Sequence, residues 1–185
     1  EKQKTAYEKK LQKAIDTVAE GTVINIAAGA YDELLTITKS VTLKGPHADP
    51  VLGDEPTAIL RPTLKPTTGF LIDIKNEGAH YTPIAVTIEN ILLDGEQAAK
   101  KYPYPYIQIN VDEGVDFYLS HSYLAYAKHP GNLGNQTGWS IVVNNANADI
   151  DSCVFKKFSK SAVNSFGYKT THIRFSYFEG EDLSS

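Results

Sequence analysis

Between residues 5 and 20 the apolar side chains fall at Tyr7, Leu11, Ala14, Ile15, Val18 and Ala19. That is one stripe at helical spacing, and it predicts a helix over 5–20. Thr5 and Glu8 stand at capping-box spacing, where each side chain satisfies the other's free backbone N–H. Gly21 is the expected stop, because glycine tolerates a left-handed backbone. Beyond Gly21 the period falls to two. Val23 to Ile26, Leu35 to Ile37 and Val41 to Leu43 read as short strands, with Ala28 to Glu33 as a turn and Gly45-Pro46 as a break. Short β-rich runs separated by Gly, Pro, Asn and Asp continue to the end. No second helical pattern follows, which argues against βαβ units, since those need crossover helices.

The strand pattern repeats. Ile88 to Leu93, Leu119 to Leu124, Ile150 to Phe155 and Ile173 to Phe178 align without gaps, with first positions 31, 31 and 23 residues apart. Each unit has an aliphatic start, a small or polar corner two residues on, and an apolar end. One further strand lies between units, at 106–110, 139–143 and 162–166. Three short strands per period is the arithmetic of a β-helix coil, which buries its inward side chains only by stacking on neighbours. The expected fold is therefore all-β: a right-handed parallel β-helix of roughly five to six coils. Residues 1–21 form a capping helix over the first coil, and residues 22–185 form the solenoid. Asn90 and Ser152 fall at corners, where side-chain hydrogen bonds replace lost ladder bonds. Such a helix hides unpaired strand edges at the start, whereas residues 180–185 are too few to cover the other end.

Composition narrows the function classes. The formal net charge of −4 disfavours non-specific nucleic-acid binding, which needs a basic surface. No apolar run reaches the length of a membrane span. The chain holds no Met and opens on Glu1, which reads as a processed or excised piece of a longer polypeptide. Cys153 has no partner for an internal disulfide and lies in an apolar run, so it is expected to be a small buried hydrophobe.

The stretch from Glu20 to Glu33, preceded by Ala14-Ile15 and followed by Ile37 to Gly45, resembles the opening of many pectin-lyase-like proteins. The later coils, with the Ile-x-Asn-x-x-Leu corner of Ile88 to Leu93, are similar to β-helix domains of bacterial surface proteins. The resemblance implies a parallel β-helix, a secreted or cell-surface location, and loops that wall a groove for a sugar chain. It carries over no catalytic residue. The Gly-His-Gly segment and paired Asp of polygalacturonases do not occur. Trp139 is followed by Ser140 and Ile141, not by the Gly-Arg of pectin methylesterases, and neither Arg61 nor Arg174 has the acidic context of a lyase base.

Two long insertions precede the intervening strands of consecutive coils. The first, 97–106, carries Tyr102, Tyr104 and Tyr106; the second, 128–139, carries His129, Asn132, Asn135 and Trp139. Aromatic faces suit sugar rings and amides suit hydroxyls. If Ile107 and Ile109 point inward, Gln108 points outward and floors the groove. Trp139 alternates with Ile141 and Val143, which would turn it inward. The competing reading is a stiff Tyr-Pro loop packed on its own coil. Asp112, Glu113 and Asp116 lie one coil before Asn145, Asn147 and Asp149, so stacked turns offer oxygens to calcium, against the simpler reading of solvated turn residues. No other cofactor is expected. No His pair has zinc-ligand spacing, and His121 sits at a repeat corner. Asn135-Gln136-Thr137 is a single glycosylation sequon.

Three functions follow as expectations. The first is a non-catalytic extracellular module that contacts polysaccharide through loops 97–106 and 128–139. The second is a polysaccharide lyase or related carbohydrate-active enzyme with a non-standard active site, for which Lys128 and His129 are the available groups. The third is a structural or adhesive spacer whose last coil stacks on further coils of the same polypeptide.

Overall fold

The computed structural model describes residues 10–63, 69–78, 82–97, 107–127 and 138–180. Among the described residues an α-helix, α1 (Lys10–Thr17), precedes seventeen strands that run in a strict three-sheet order. The first coil holds β1 (Thr22–Asn25), β2 (Gly29–Tyr31) and β3 (Leu35–Ile37), and the second holds β4 (Val41–Lys44), β5 (Ala58–Leu60) and β6 (Phe70–Ile74). The third holds β7 (Ile84–Glu89), β8 (Ile91–Asp94) and β9 (Ile107–Val111). The fourth holds β10 (Val115–Ser120), β11 (Tyr123–Ala125) and β12 (Trp139–Asn144). The fifth holds β13 (Asn147–Asp151), β14 (Val154–Phe158) and β15 (Ser161–Phe166); β16 (Thr171–Arg174) and β17 (Tyr177–Gly180) begin a sixth. Every third strand joins the same parallel sheet. Sheet 1 runs β1-β4-β7-β10-β13-β16, sheet 2 runs β2-β5-β8-β11-β14-β17, and sheet 3 runs β3-β6-β9-β12-β15. This is a right-handed parallel β-helix. No described helix is long and apolar enough to cross a membrane.

The repeat predicted from sequence becomes a column of stacked side chains. Ile24, Leu43, Ile88, Leu119, Ile150 and Ile173 are in register down sheet 1. Leu93, Leu124, Phe155 and Phe178 follow one another down sheet 2, and the last two rings stack with centroids 5.0 Å apart. Alternate residues of each strand turn into this core, so each coil buries its apolar face on the next.

From β7 onward the corner between sheets 1 and 2 is one or two residues wide. Asn90, His121, Ser152 and Phe175 occupy it with φ of 57°, 46°, 53° and 46°. Asparagine tolerates this left-handed backbone best, and its Oδ1 also accepts from the Ala48 N–H at 3.2 Å. One coil on, the Ser122 hydroxyl accepts from the Ile91 N–H and donates to the Ser120 carbonyl. Ser176 repeats this with Cys153 and Arg174. The same crowding explains Gly45: a Cβ there would stand 2.1 Å from the Asn90 carbonyl oxygen.

The first coil is sealed by α1, as the apolar stripe predicts. Leu11 and Ile15 are buried in the core, with Val18 packed against it. The buried Glu33 carboxylate accepts from the backbone N–H groups of Leu11 and Gln12, both at 2.9 Å. It caps the helix start and places negative charge at the positive end of the dipole. The Gln12 amide donates to the Thr36 carbonyl and accepts from the Thr36 N–H, standing in for a strand beside the edge strand β3. The helix ends at Thr17, short of the expected residue 20, because the Lys39 ammonium takes the Asp16 and Val18 carbonyls. Gly21 does adopt a positive φ, but in the turn into β1. The expected capping box at Thr5 and Glu8 lies outside the described residues.

Candidate functional site

Of the residues expected to line a groove, Tyr102, Tyr104, Tyr106, His129, Asn132 and Asn135 lie outside the described residues. Gln108 and Trp139 are described. Gln108 shares a strand with the core residue Ile109 but faces the other way, as alternation requires. It is nevertheless 0% exposed, and so not an open groove floor. Its Nε2 donates to the carbonyls of Ala125 (2.7 Å) and Leu93 (3.4 Å), tying two coils of sheet 2 to sheet 3. Trp139 is half-buried, on the parity of the core residues Ile141 and Val143. Trp139 Nε1, Gln108 Oε1 and Ser140 Oγ are buried without a hydrogen-bond partner.

A described concavity lies at the exit ends of the sheet 3 strands. It is a groove of about 530 Å³ across the corners into sheet 1. One residue per coil forms its line: Lys75 after β6, Asp112 after β9, Asn144 at the end of β12 and Phe166 at the end of β15. The strand pairings Ile74 with Val111, Val111 with Val143, and Asn144 with Phe166 put these four in succession. At about 4.8 Å per strand step the line is roughly 14 Å long. Asn76, Glu77, Glu113, Asn145 and Gly167 form its outer lip. Phe166, 50% exposed as a residue, closes one end.

The groove's polar groups are orientated by one another. The Asn110 amide donates to Asp73 Oδ1 (2.9 Å) and Asp112 Oδ1 (3.1 Å). The Asn144 amide donates to Asn110 Oδ1 (3.0 Å) and Asp112 Oδ1 (3.2 Å). Carboxylates accept only, so each amide has one possible orientation. Asn145 donates to Glu113 Oε1 at 2.8 Å while its Oδ1 accepts from the Tyr168 N–H. Asn76 donates to the carbonyls of Thr82 and Gly114. Lys75 is paired with Glu77 at 2.8 Å. That contact, and the field of Glu77, Asp73 and Asp112, hold the ammonium above its usual range.

The same pairings bear on the calcium expectation. Glu113 meets Asn145, Asp116 meets Asn147 at 2.8 Å, and Asp149 meets His172 and Arg174. An amide, or the imidazole and guanidinium of His172 and Arg174, and not a cluster of carboxylates, sits opposite each of these acids. Among the described residues no group of three or more His, Cys, Asp or Glu converges as a metal site would.

Sequence reasoning placed Asp112, Glu113 and Asn145 near one another but weighed them as cation ligands against solvated turn residues, and it did not single out Lys75, Asn144 or Phe166 as binding residues. The signal was the Asp112-Glu113 and Asn144-Asn145 pairs at matching coil positions. The register that lines them up with Phe166 is not visible in composition. Cys153 is buried as expected, and burial pushes its thiol up to about 12. Comparison of the chain with protein-family models, with curated proteins and with solved structures gives no match.

Proposed function

We propose that this chain is a non-catalytic β-helix module of an extracellular or cell-surface protein, of the pectin-lyase-like kind, that contacts polysaccharide. The observation that carries the reading is the exit-end groove, an open trough crossing four coils with fixed amides and carboxylates along it and an exposed aromatic ring at its end. Linear polymers of rigid, hydroxyl-bearing rings suit such a surface: ring faces lie on an aromatic side chain while hydroxyls meet fixed polar groups. The insertions 97–106 and 128–139, which precede β9 and run into β12 in the sequence, remain part of the proposal. The absent catalytic signatures support a binding role over a lyase. The test is retention of the 185-residue chain on a panel of immobilised polysaccharides. Retention is expected, with Phe166→Ala weakening it by about 1 kcal/mol or more, as for an aromatic at an interface, at unchanged melting temperature. Retention of no glycan at millimolar concentration would end the reading.

A structural role is favoured by a different observation. The last coil leaves Ile173, Phe175, Tyr177 and Phe178 exposed. In this second reading that face stacks on further β-coils. Concentration-dependent self-association that Phe178→Glu abolishes would support it, and its absence would remove the support.

A further inference from the structure

We propose that the exit-end groove selects uncharged, hydroxyl-donating glycans and rejects polyuronates. The inference rests on the glycan reading above and adds a ligand class to it.

The ligand class follows from which hydrogen-bonding atoms of the groove are already spent. Asn144 uses both of its N–H bonds, on Asn110 and Asp112. Asn76 uses both of its own on the Thr82 and Gly114 carbonyls. Asn145 commits one to Glu113. The single ammonium among the described lining residues, Lys75, is held by Glu77. The amide donors of the groove are thus largely consumed, while Glu77 holds one of the three N–H bonds of the ammonium. The acceptors are not consumed. Asp112 receives its two bonds on Oδ1 alone, Glu113 receives its bond on Oε1 alone, and the Asn144 amide is bound only through its nitrogen. No described residue donates to Asp112 Oδ2, Glu113 Oε2 or Asn144 Oδ1.

A ligand entering here meets oxygens that need donors. Sugar hydroxyls supply them; a uronate carboxylate supplies none. Charge points the same way. Three carboxylates, Glu77, Asp112 and Glu113, face one ammonium across the lining. Asp73, buried behind Asn110, adds a further acid. A polyanion laid in the groove would face like charge at successive coils, and like charges juxtaposed at an interface are strongly unfavourable. Discrimination comes as much from this repulsion as from the bonds a neutral chain makes.

The experiment uses the 185-residue chain and a matched pair of polymers: a polyuronate, and the same polymer with its carboxyls reduced to neutral hydroxymethyl groups. Affinity electrophoresis or calorimetry reads both at low and moderate salt. The neutral polymer is expected to bind at least about tenfold more tightly, with little dependence on salt. Glu113→Gln is expected to narrow the gap by admitting the polyuronate, and Phe166→Ala to weaken binding of the neutral form. Tighter binding of the polyuronate would overturn the selectivity while leaving the groove as a glycan site. Binding of neither polymer, or binding indifferent to Phe166→Ala, would overturn the selectivity together with the groove reading.

Discussion

The two ends of the solenoid present the same repeat unit to different neighbours. At the first coil, β3 and the inward residues Leu35 and Ile37 lie under α1, and the Gln12 amide occupies the strand edge. At the last, β16 and β17 carry residues of the same columns, yet Ile173 is 43% exposed where Ile150, one coil earlier, is 0% exposed. Side-chain identity is unchanged between these two isoleucines, and so is register. Only the presence of a following coil differs. Burial in a solenoid is therefore a property of the interface between coils, which is the behaviour expected of a quasi-one-dimensional fold.

That comparison is broken most severely in the middle. Ile150→Asp places a carboxylate in a column closed above and below, without a partner for the charge. The cost is several kcal/mol, comparable with the roughly 5–15 kcal/mol that stabilises a whole domain. The expected outcome is a chain without a cooperative thermal transition and with the circular dichroism of an unfolded protein. A folded variant with a melting temperature close to the parent would mean that the column is not the core.

The sealed end is tested by its cap. Glu33→Ala leaves the Leu11 and Gln12 N–H groups without their acceptor at a buried site. Hydrogen bonds to a charged group are worth about 1.5–3 kcal/mol each in net stability, and part of that is recovered if water reaches the freed donors. A loss of about 2–3 kcal/mol in urea unfolding is expected, with Glu33→Gln losing less because it keeps an acceptor. An unchanged midpoint would detach α1 from the stability of the first coil.

The contrast between the ends was largely legible in the sequence, and the candidate site was not. The columns were legible because Ile88, Leu119, Ile150 and Ile173 recur with a polar corner two residues on, a pattern that only stacking explains. The cap was legible from its apolar stripe, but its anchors were not. Glu33 and Gln12 act through contacts 22 and 24 residues away in the chain, and no local period reports such contacts. The same reason governs the site. Aromatic content drew attention to the insertions that precede β9 and β12 in the sequence, whereas the described groove depends on Lys75, Asp112, Asn144 and Phe166 falling at equivalent strand ends in coils of unequal length. Gln108 shows the limit of alternation: it correctly gave the face, but the face opposite the core is itself buried here.

How far the exposed last coil shields the one beneath it can be read from Cys153. The thiol lies at the corner into β14, with its carbonyl bonded to Tyr177 of the final strand. Burial raises it from an ordinary 9.0 to about 12, while contacts with Ser122 and Asp151 lower it in part. A thiol raised in the folded state stays protonated after the unfolded chain has ionised. Its contribution is complete below pH 9.0, and it is lost as pH climbs through the window up to about 12. Within that window the parent should lose up to about 1.4 kcal/mol per pH unit more than Cys153→Ala does. The native thiol should also resist alkylation at neutral pH. Rapid alkylation without unfolding would show that the last coil opens readily.

The smallest expected effect is at Ile173 itself, and it sharpens the comparison most directly. Ile173→Asp makes the same chemical change as Ile150→Asp in the next position of the same column. At this position the side chain is partly in water, so the carboxylate keeps much of its hydration and no buried charge is created. What is lost is the contact of one face of Ile173 with Ile150, a fraction of the roughly 1.5–3 kcal/mol for burying a whole isoleucine. The Arg174 guanidinium and the His172 ring on the same strand already attend Asp149, one coil below. Both lie on the parity opposite to residue 173, so a new acid there gains no partner from them. The net change should be at most about 1 kcal/mol, read as a small shift in urea midpoint with an unchanged denaturant slope. A loss near that of Ile150→Asp would mean that Ile173 is covered in solution by a partner surface. In that case the same variant should also convert an associated species to a monomer in sedimentation.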